Sequence, residues 1–181
     1  PAAVFVPDYE LSTEKARQAL PRELPYKDAV YNVSRVGLLP AAMNPVVLAQ
    51  AAQQGKSGVA AAPAQDADTC ACAGGTRESP FADELAAAQA QSNALLFTAT
   101  QDKLHQPYRG TLMPPSTELI ALFRSKGYAA AVSGAGPCVL VLHYGNAREA
   151  IDQIASEQLA SGHWRVLHLP INTAGVEIER R

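Results

Sequence analysis

Two apolar runs with strand character, Tyr128–Val132 and Cys138–Leu142, are separated only by Ser133-Gly134-Ala135-Gly136-Pro137. A link that short admits antiparallel neighbours, because parallel strands need a crossover of about a dozen residues or more. A sheet with this hairpin at its heart is therefore the strongest constraint on the fold. Other segments supply further strands. Val4-Phe5-Val6 is a short apolar run stopped by Pro7, Arg165–Leu169 alternates, and Gly175–Glu179 is a short candidate strand.

Helical patterns fill the intervals. Ser12 and Thr13 offer capping hydroxyls to Glu14–Leu20, which Pro21 stops. Apolar residues at Val30, Val33, Val36 and Leu38 follow Asp28 at spacings of one helix face. A helix from Ala94 through Asp102, Leu104 and His105 breaks at Pro107. Ser116-Thr117-Glu118 caps Leu119–Phe123, which Lys126-Gly127 closes, and Asn146 with Glu149 forms a capping box for Ala147–Leu159. The order of elements predicts an α+β fold of the ferredoxin-like, split βαβ kind: one antiparallel sheet with helices on one face.

The stretch from about Gln50 to Asn93 differs from its surroundings. It is rich in Ala, Gln, Gly and Asp, with Phe81 as its one aromatic residue. Such a composition buries too little large apolar surface to offset the ordering entropy. It is expected to be a low-complexity, disordered insertion in a single domain that otherwise runs from 1 to 181. Much of the 48% hydrophobic content is alanine, so the core is leaner than that figure suggests.

Charge and cysteine usage exclude several classes. A net charge of −2 without a basic block argues against nucleic acid as a partner. No apolar run approaches the ~18 residues needed to span a membrane. Three cysteines cannot pair evenly, which fits a reducing, cytoplasmic setting.

Few residues suggest chemistry. The small side chains of Ser133–Gly136 would let backbone N–H groups approach an anion, although the segment taken alone reads first as a plain tight hairpin turn. This turn is not a Walker loop, because it carries no Gly-Lys-Ser/Thr and no helix follows it directly. Arg109 follows a helix break at Pro107, where a guanidinium can face a cleft, and Arg17 is the other candidate for bidentate carboxylate binding. Cys70-Ala71-Cys72 is half a metal site whose other half finds no matching spacing among the remaining Cys and the four His, so no metal is expected. His143 and His168 read as packed or rim residues, and no catalytic constellation can be assembled.

Taken together, four segments resemble one family. Val6-Pro7-Asp8 with Leu11–Pro21, then Asp28–Arg35, then Asp102–Arg109 with Leu112-Met113-Pro114, are similar in order and spacing to the C-terminal part of homoserine kinases. Ser133–Pro137 resembles the third motif of the GHMP kinase superfamily, to which they belong. The resemblance implies ATP-dependent, Mg²⁺-assisted phosphorylation of the L-homoserine hydroxyl, a step of threonine biosynthesis. It implies that Arg17 and Arg109 hold the substrate carboxylate, and that Thr13 and the Ser133, Gly134, Ala135, Gly136 turn lie near the nucleotide phosphates. The family's phosphate loop and acidic Mg²⁺ residue have no counterpart in this sequence. The resemblance therefore implies the C-terminal portion alone, starting at Pro1, with the ATP-binding N-terminal domain as a missing partner and a homodimer possible. Negligible activity is expected of the 181 residues by themselves. Two alternatives stand beside this: a non-catalytic ligand-binding or regulatory domain, and a GHMP kinase acting on another small hydroxylated carboxylate.

Overall fold

The computed structural model describes residues 1–44, 80–171 and 178, with side chains in the second stretch from Asp83 onward. Cys70, Cys72, most of the expected insertion and the candidate strand at 175–179, save Ile178, lie outside the described residues.

Four strands form one sheet: β1 (Ala2–Pro7), β2 (Ala129–Val132), β3 (Val139–Leu142) and β4 (Trp164–Leu169). Their order is β2-β3-β1-β4, with every adjacent pair antiparallel. The hairpin pairs Val132 with Val139 and Ala129 with Leu142, as the short turn demands. β1 then slots against β3, Phe5 facing Val139, and takes β4 on its other side, Phe5 facing Val166. This is the ferredoxin-like order.

Strand alternation sorts the side chains between two faces. Ala3, Phe5, Val139 and Val141 are fully buried, together with Ala130, beneath Leu119, Phe123, Ile151 and Ala155. The cover comes from α6 (Pro114–Ser125) and α7 (Arg148–Ile154). Phe5 and Phe123 meet with ring centroids 5.1 Å apart, a tilted aromatic pair. A second, smaller cluster of Ala42, Leu96 and Ala129, with Leu95, Phe97, Leu142 and Tyr144 around it, ties α3 (Leu39–Ala42) and α4 (Pro80–Ala99) to the β2 edge. Ala129 and Leu142 have the opposite parity to Ala130 and Val141, so these helices reach the other face of the sheet there.

Three expectations need correction. The expectation of disorder up to Asn93 fails from Pro80 onward, where α4 begins. Ala, Gln, Glu and Leu are strong helix formers, and the buried face of α4 is built from Ala88, Ser92, Leu96 and Ala99, mostly residues too small to register as core. Ser116 does not cap its helix. α6 starts at Pro114, and the fully buried Ser116 donates from Oγ to the Pro137 carbonyl at 2.5 Å, with Tyr9 Oη 2.7 Å away. The helix expected over Ala147–Leu159 divides at Ala155 into α7 and α8 (Ser156–Ala160). There the N-cap is Ala147 and no side chain caps it, since the helix starts one residue too late for Asn146 to serve. By contrast, Ser12 caps α1 (Thr13–Gln18) as read, accepting from the Lys15 amide at 3.4 Å.

Candidate functional site

An open groove of about 480 Å³ runs between α2 (Tyr26–Val36), the loop after α4, and the β2–β3 turn. Asn32, Arg35, Asp102, His105, Arg109 and Gly134 are among its lining residues. Arg109 closes α5 (Gln106–Arg109), a single helical turn with Pro107 at its start, where a missing N–H costs nothing.

The guanidinium of Arg109 is held on two sides. Nε donates to the Ala16 carbonyl at 3.2 Å, and Nη1 donates to the Gly134 carbonyl at 3.4 Å. Three of the five N–H donors of an arginine remain. No carboxylate among the described residues forms an ion pair with Arg109. A cation fixed by neutral carbonyls at the rim of a groove is suited to an anionic ligand.

The Ser133–Pro137 turn is built tightly. The Ser133 amide donates to the Cys138 carbonyl at 2.8 Å, and the Gly136 amide donates to Ser133 O at 3.2 Å. Gly134 and Gly136 have φ of 65° and 93°, in the left-handed region that favours glycine. A Cβ on Gly136 would lie 2.6 Å from Sδ of the fully buried Met113. The amides of Gly134 and Ala135 make no backbone hydrogen bond among the described residues.

The predicted site residues divide into two groups. Arg109 and Gly134 come together directly, with Ser133, Ala135 and Gly136 in the same turn. Thr13 and Arg17 lie exposed on α1 and do not line the groove, although α1 supplies the Ala16 carbonyl that Arg109 grips. His143 is buried beside β3, where burial holds its pKa below the usual value. His168 bonds Asp152 Oδ1 through Nε2 at 2.8 Å. His143 is packed, as read, whereas the pairing of His168 with a carboxylate was not read from the sequence.

The groove's polar wall was not foreseen. Gln101 Oε1 accepts from Tyr31 Oη at 2.5 Å and from Arg35 Nε at 3.3 Å, and the Arg35 guanidinium lies 3.9 Å from the Tyr31 ring centroid. Asp102 accepts from the amides of Leu104, His105 and Gln106. Burial raises the pKa of this carboxyl, yet those amides and the Asn32 side chain outweigh it and hold the group below the ordinary carboxylate value. An Asp four residues before Gln106 was a legible signal, since Asp side chains readily capture nearby amides.

Residues 81–160 match the model of the GHMP kinases' C-terminal domain. Fold and match point to one class: residues 81–160 are similar to the GHMP kinases' C-terminal domain. Within that class its relatives are homoserine kinases. That of Leifsonia xyli subsp. xyli is 34% identical over 98% of this chain and 41% of its own length. That of Corynebacterium aurimucosum is 32% identical over 99% of this chain and 42% of its own length. The crystal structure of homoserine kinase from Cytophaga hutchinsonii superposes with a TM-score of 0.55 at 17% identity, covering 91% of this chain and 39% of that one, a likeness of fold. The chain thus spans about two fifths of the length of the curated relatives it matches.

The described residues do not fit a complete nucleotide or metal site. Two backbone amides in a turn and one arginine are fewer donors than a triphosphate requires. Among the described residues, no three His, Cys, Asp or Glu side chains converge to hold a cation.

Proposed function

We propose that this chain is the C-terminal part of a homoserine kinase, a cytoplasmic enzyme that phosphorylates the side-chain hydroxyl of L-homoserine with ATP to give O-phospho-L-homoserine for threonine biosynthesis. The chain's share of the work is orientation. Arg109 binds the substrate carboxylate, Arg17 approaches it from α1, and the hydroxyl at the far end of the substrate is thereby aimed toward the phosphates. Fixing one end of a short substrate converts loose encounter into a near-attack geometry, worth several orders of magnitude in rate. The Ser133–Gly136 turn and Thr13 form the wall nearest the phosphates. A phosphate cradle and Mg²⁺ coordination, which phosphoryl transfer depends on, are assigned to an N-terminal domain of the kind the longer relatives have room for.

The observation that carries this reading is the Arg109 guanidinium, clamped by Ala16 and Gly134 carbonyls with donors to spare. The test has two arms. The 181 residues alone are expected to form negligible ADP from ATP and L-homoserine, and substantial turnover would overturn the division of labour. A chimera in which this chain replaces the matched segment of the Leifsonia homoserine kinase is expected to be active. In that chimera Arg109→Ala should raise KM for L-homoserine by about a hundredfold, as loss of a charged hydrogen-bonded pair implies. An unchanged KM would remove Arg109 from the substrate site.

A further inference from the structure

α5 is too short to hold itself in place. Forming one helical turn fixes several dihedrals for little return, and none of Gln106–Arg109 is buried. Its position must come from outside contacts, and these converge on one carboxylate. Asp102 Oδ1 accepts from the Leu104 amide at 2.9 Å and from Asn32 Nδ2 at 2.5 Å. Oδ2 accepts from the amides of His105 at 2.9 Å and Gln106 at 2.6 Å. Asn32 in turn accepts the Lys103 amide on Oδ1 at 2.9 Å. Every amide from Lys103 to Gln106 therefore ends on a side chain of this pair. From the Gln106 side chain the clamp reaches the sheet, because Oε1 accepts from the Val132 amide at 3.1 Å, one residue before the turn whose carbonyl holds Arg109.

We propose that Asp102, seated on Asn32 of α2, is a positioning residue for Arg109: it fixes the start of α5 so that the guanidinium at its end faces the groove in one orientation. This rests on the homoserine kinase reading of Arg109. Asp102 itself does not touch substrate. Its two oxygens are filled by four N–H groups, and a neighbouring basic side chain, His105 with Nδ1 at 3.5 Å, is half exposed. Lys103 is paired elsewhere, with Asp28 at 3.7 Å. Because α5 contributes no fully buried residue to the core, losing the clamp should displace Arg109 far more than it loosens the fold.

Asp102→Asn keeps the shape but turns one acceptor into a donor facing two amides. In the active chimera it is expected to raise KM for L-homoserine by ten- to a hundredfold, the scale of a 1 Å misplacement, with KM for ATP unchanged. The decisive comparison is the double variant D102N/R109A, expected to match R109A alone, since a residue acting only through Arg109 has nothing left to position. A D102N effect that multiplies onto R109A, or no D102N effect at all, would overturn the proposal. A second measurement separates it from the reading on which it rests. Phenylglyoxal modification of the 181-residue chain outside the chimera, followed by peptide mass, should be several-fold faster at Arg109 in D102N than in the unsubstituted chain, and unchanged at the exposed Arg22. Equal rates at Arg109 would refute the clamp whatever the kinetics. Faster Arg109 modification with an R109A chimera of normal KM would instead fail the substrate reading and leave the clamp standing.

Discussion

Gly136→Ala tests the construction of the β2–β3 turn. The new methyl group would sit 2.6 Å from Met113 Sδ and 3.4 Å from Val132 Cγ1, while the residue holds φ at 93°. Two costs follow from different causes. The backbone conformation costs an L-residue about 1–2 kcal/mol. Forcing a methyl against a fully buried thioether costs a further ~1–3 kcal/mol, because Met113 has nowhere open to move. The sum is about 2–5 kcal/mol, a large part of the stability of a small domain. Urea unfolding followed by the fluorescence of Trp164, the chain's single tryptophan, measures it. The two causes separate in a Met113→Ala background. There the steric part vanishes and Gly136→Ala should cost only the backbone share, leaving a coupling of about 1–3 kcal/mol between the sites. A Gly136→Ala cost below about 0.5 kcal/mol, or one identical in both backgrounds, would refute the packing described for this turn.

Arg124 joins α4 to the sheet, donating to Phe97 O at 2.7 Å, Ala130 O at 3.0 Å and Thr100 Oγ1 at 3.2 Å, with its guanidinium 4.3 Å from the Phe97 ring. Arg124→Met should destabilise by about 2–4 kcal/mol, since these carbonyls lose a charged donor; a urea midpoint unchanged within error would contradict the role. Asp102 carries a pH signature. Its folded pKa is depressed, so its contribution is complete above the unfolded value of about 4 and is lost as pH falls through the folded one. Asp102→Asn should flatten the acid limb of stability below about pH 4 and leave the neutral region's slope alone. Superimposable acid limbs would show the carboxylate to be unclamped.

The parts of the fold that could be read from sequence are those where one local signal suffices. The turn Ser133–Pro137 is too short for anything but a hairpin, and the continuous apolar run Cys138–Leu142 marks a strand. Ser12 caps because a hydroxyl precedes a good helix former. The first part of α4 escaped because its inward stripe is Ala88 and Ser92, residues that pack well yet contribute little to a hydrophobicity pattern. Ser116 was misplaced because the same hydroxyl that caps helices also satisfies a buried carbonyl, and only tertiary contact with Pro137 decides which. At the site, the break read at Pro107 lies earlier, since α4 ends at Ala99 and Pro107 instead starts the turn that Arg109 closes. The grip of Arg109 on Ala16 joins residues 93 apart, and the Asp102–Asn32 pair joins residues 70 apart, which no local pattern discloses.

The central claim is that Arg109 recognises a carboxylate, and one selectivity ratio addresses it. The active chimera should be assayed with L-homoserine and with 3-amino-1-propanol, which keeps the hydroxyl and amine but lacks the carboxylate. The account predicts a kcat/KM ratio of about a hundredfold or more in favour of L-homoserine, collapsing to within a few-fold in Arg109→Ala, the scale set by one charged interaction. If Arg109→Ala weakens both substrates equally, so that the ratio survives, Arg109 is a structural residue and the carboxylate is bound elsewhere.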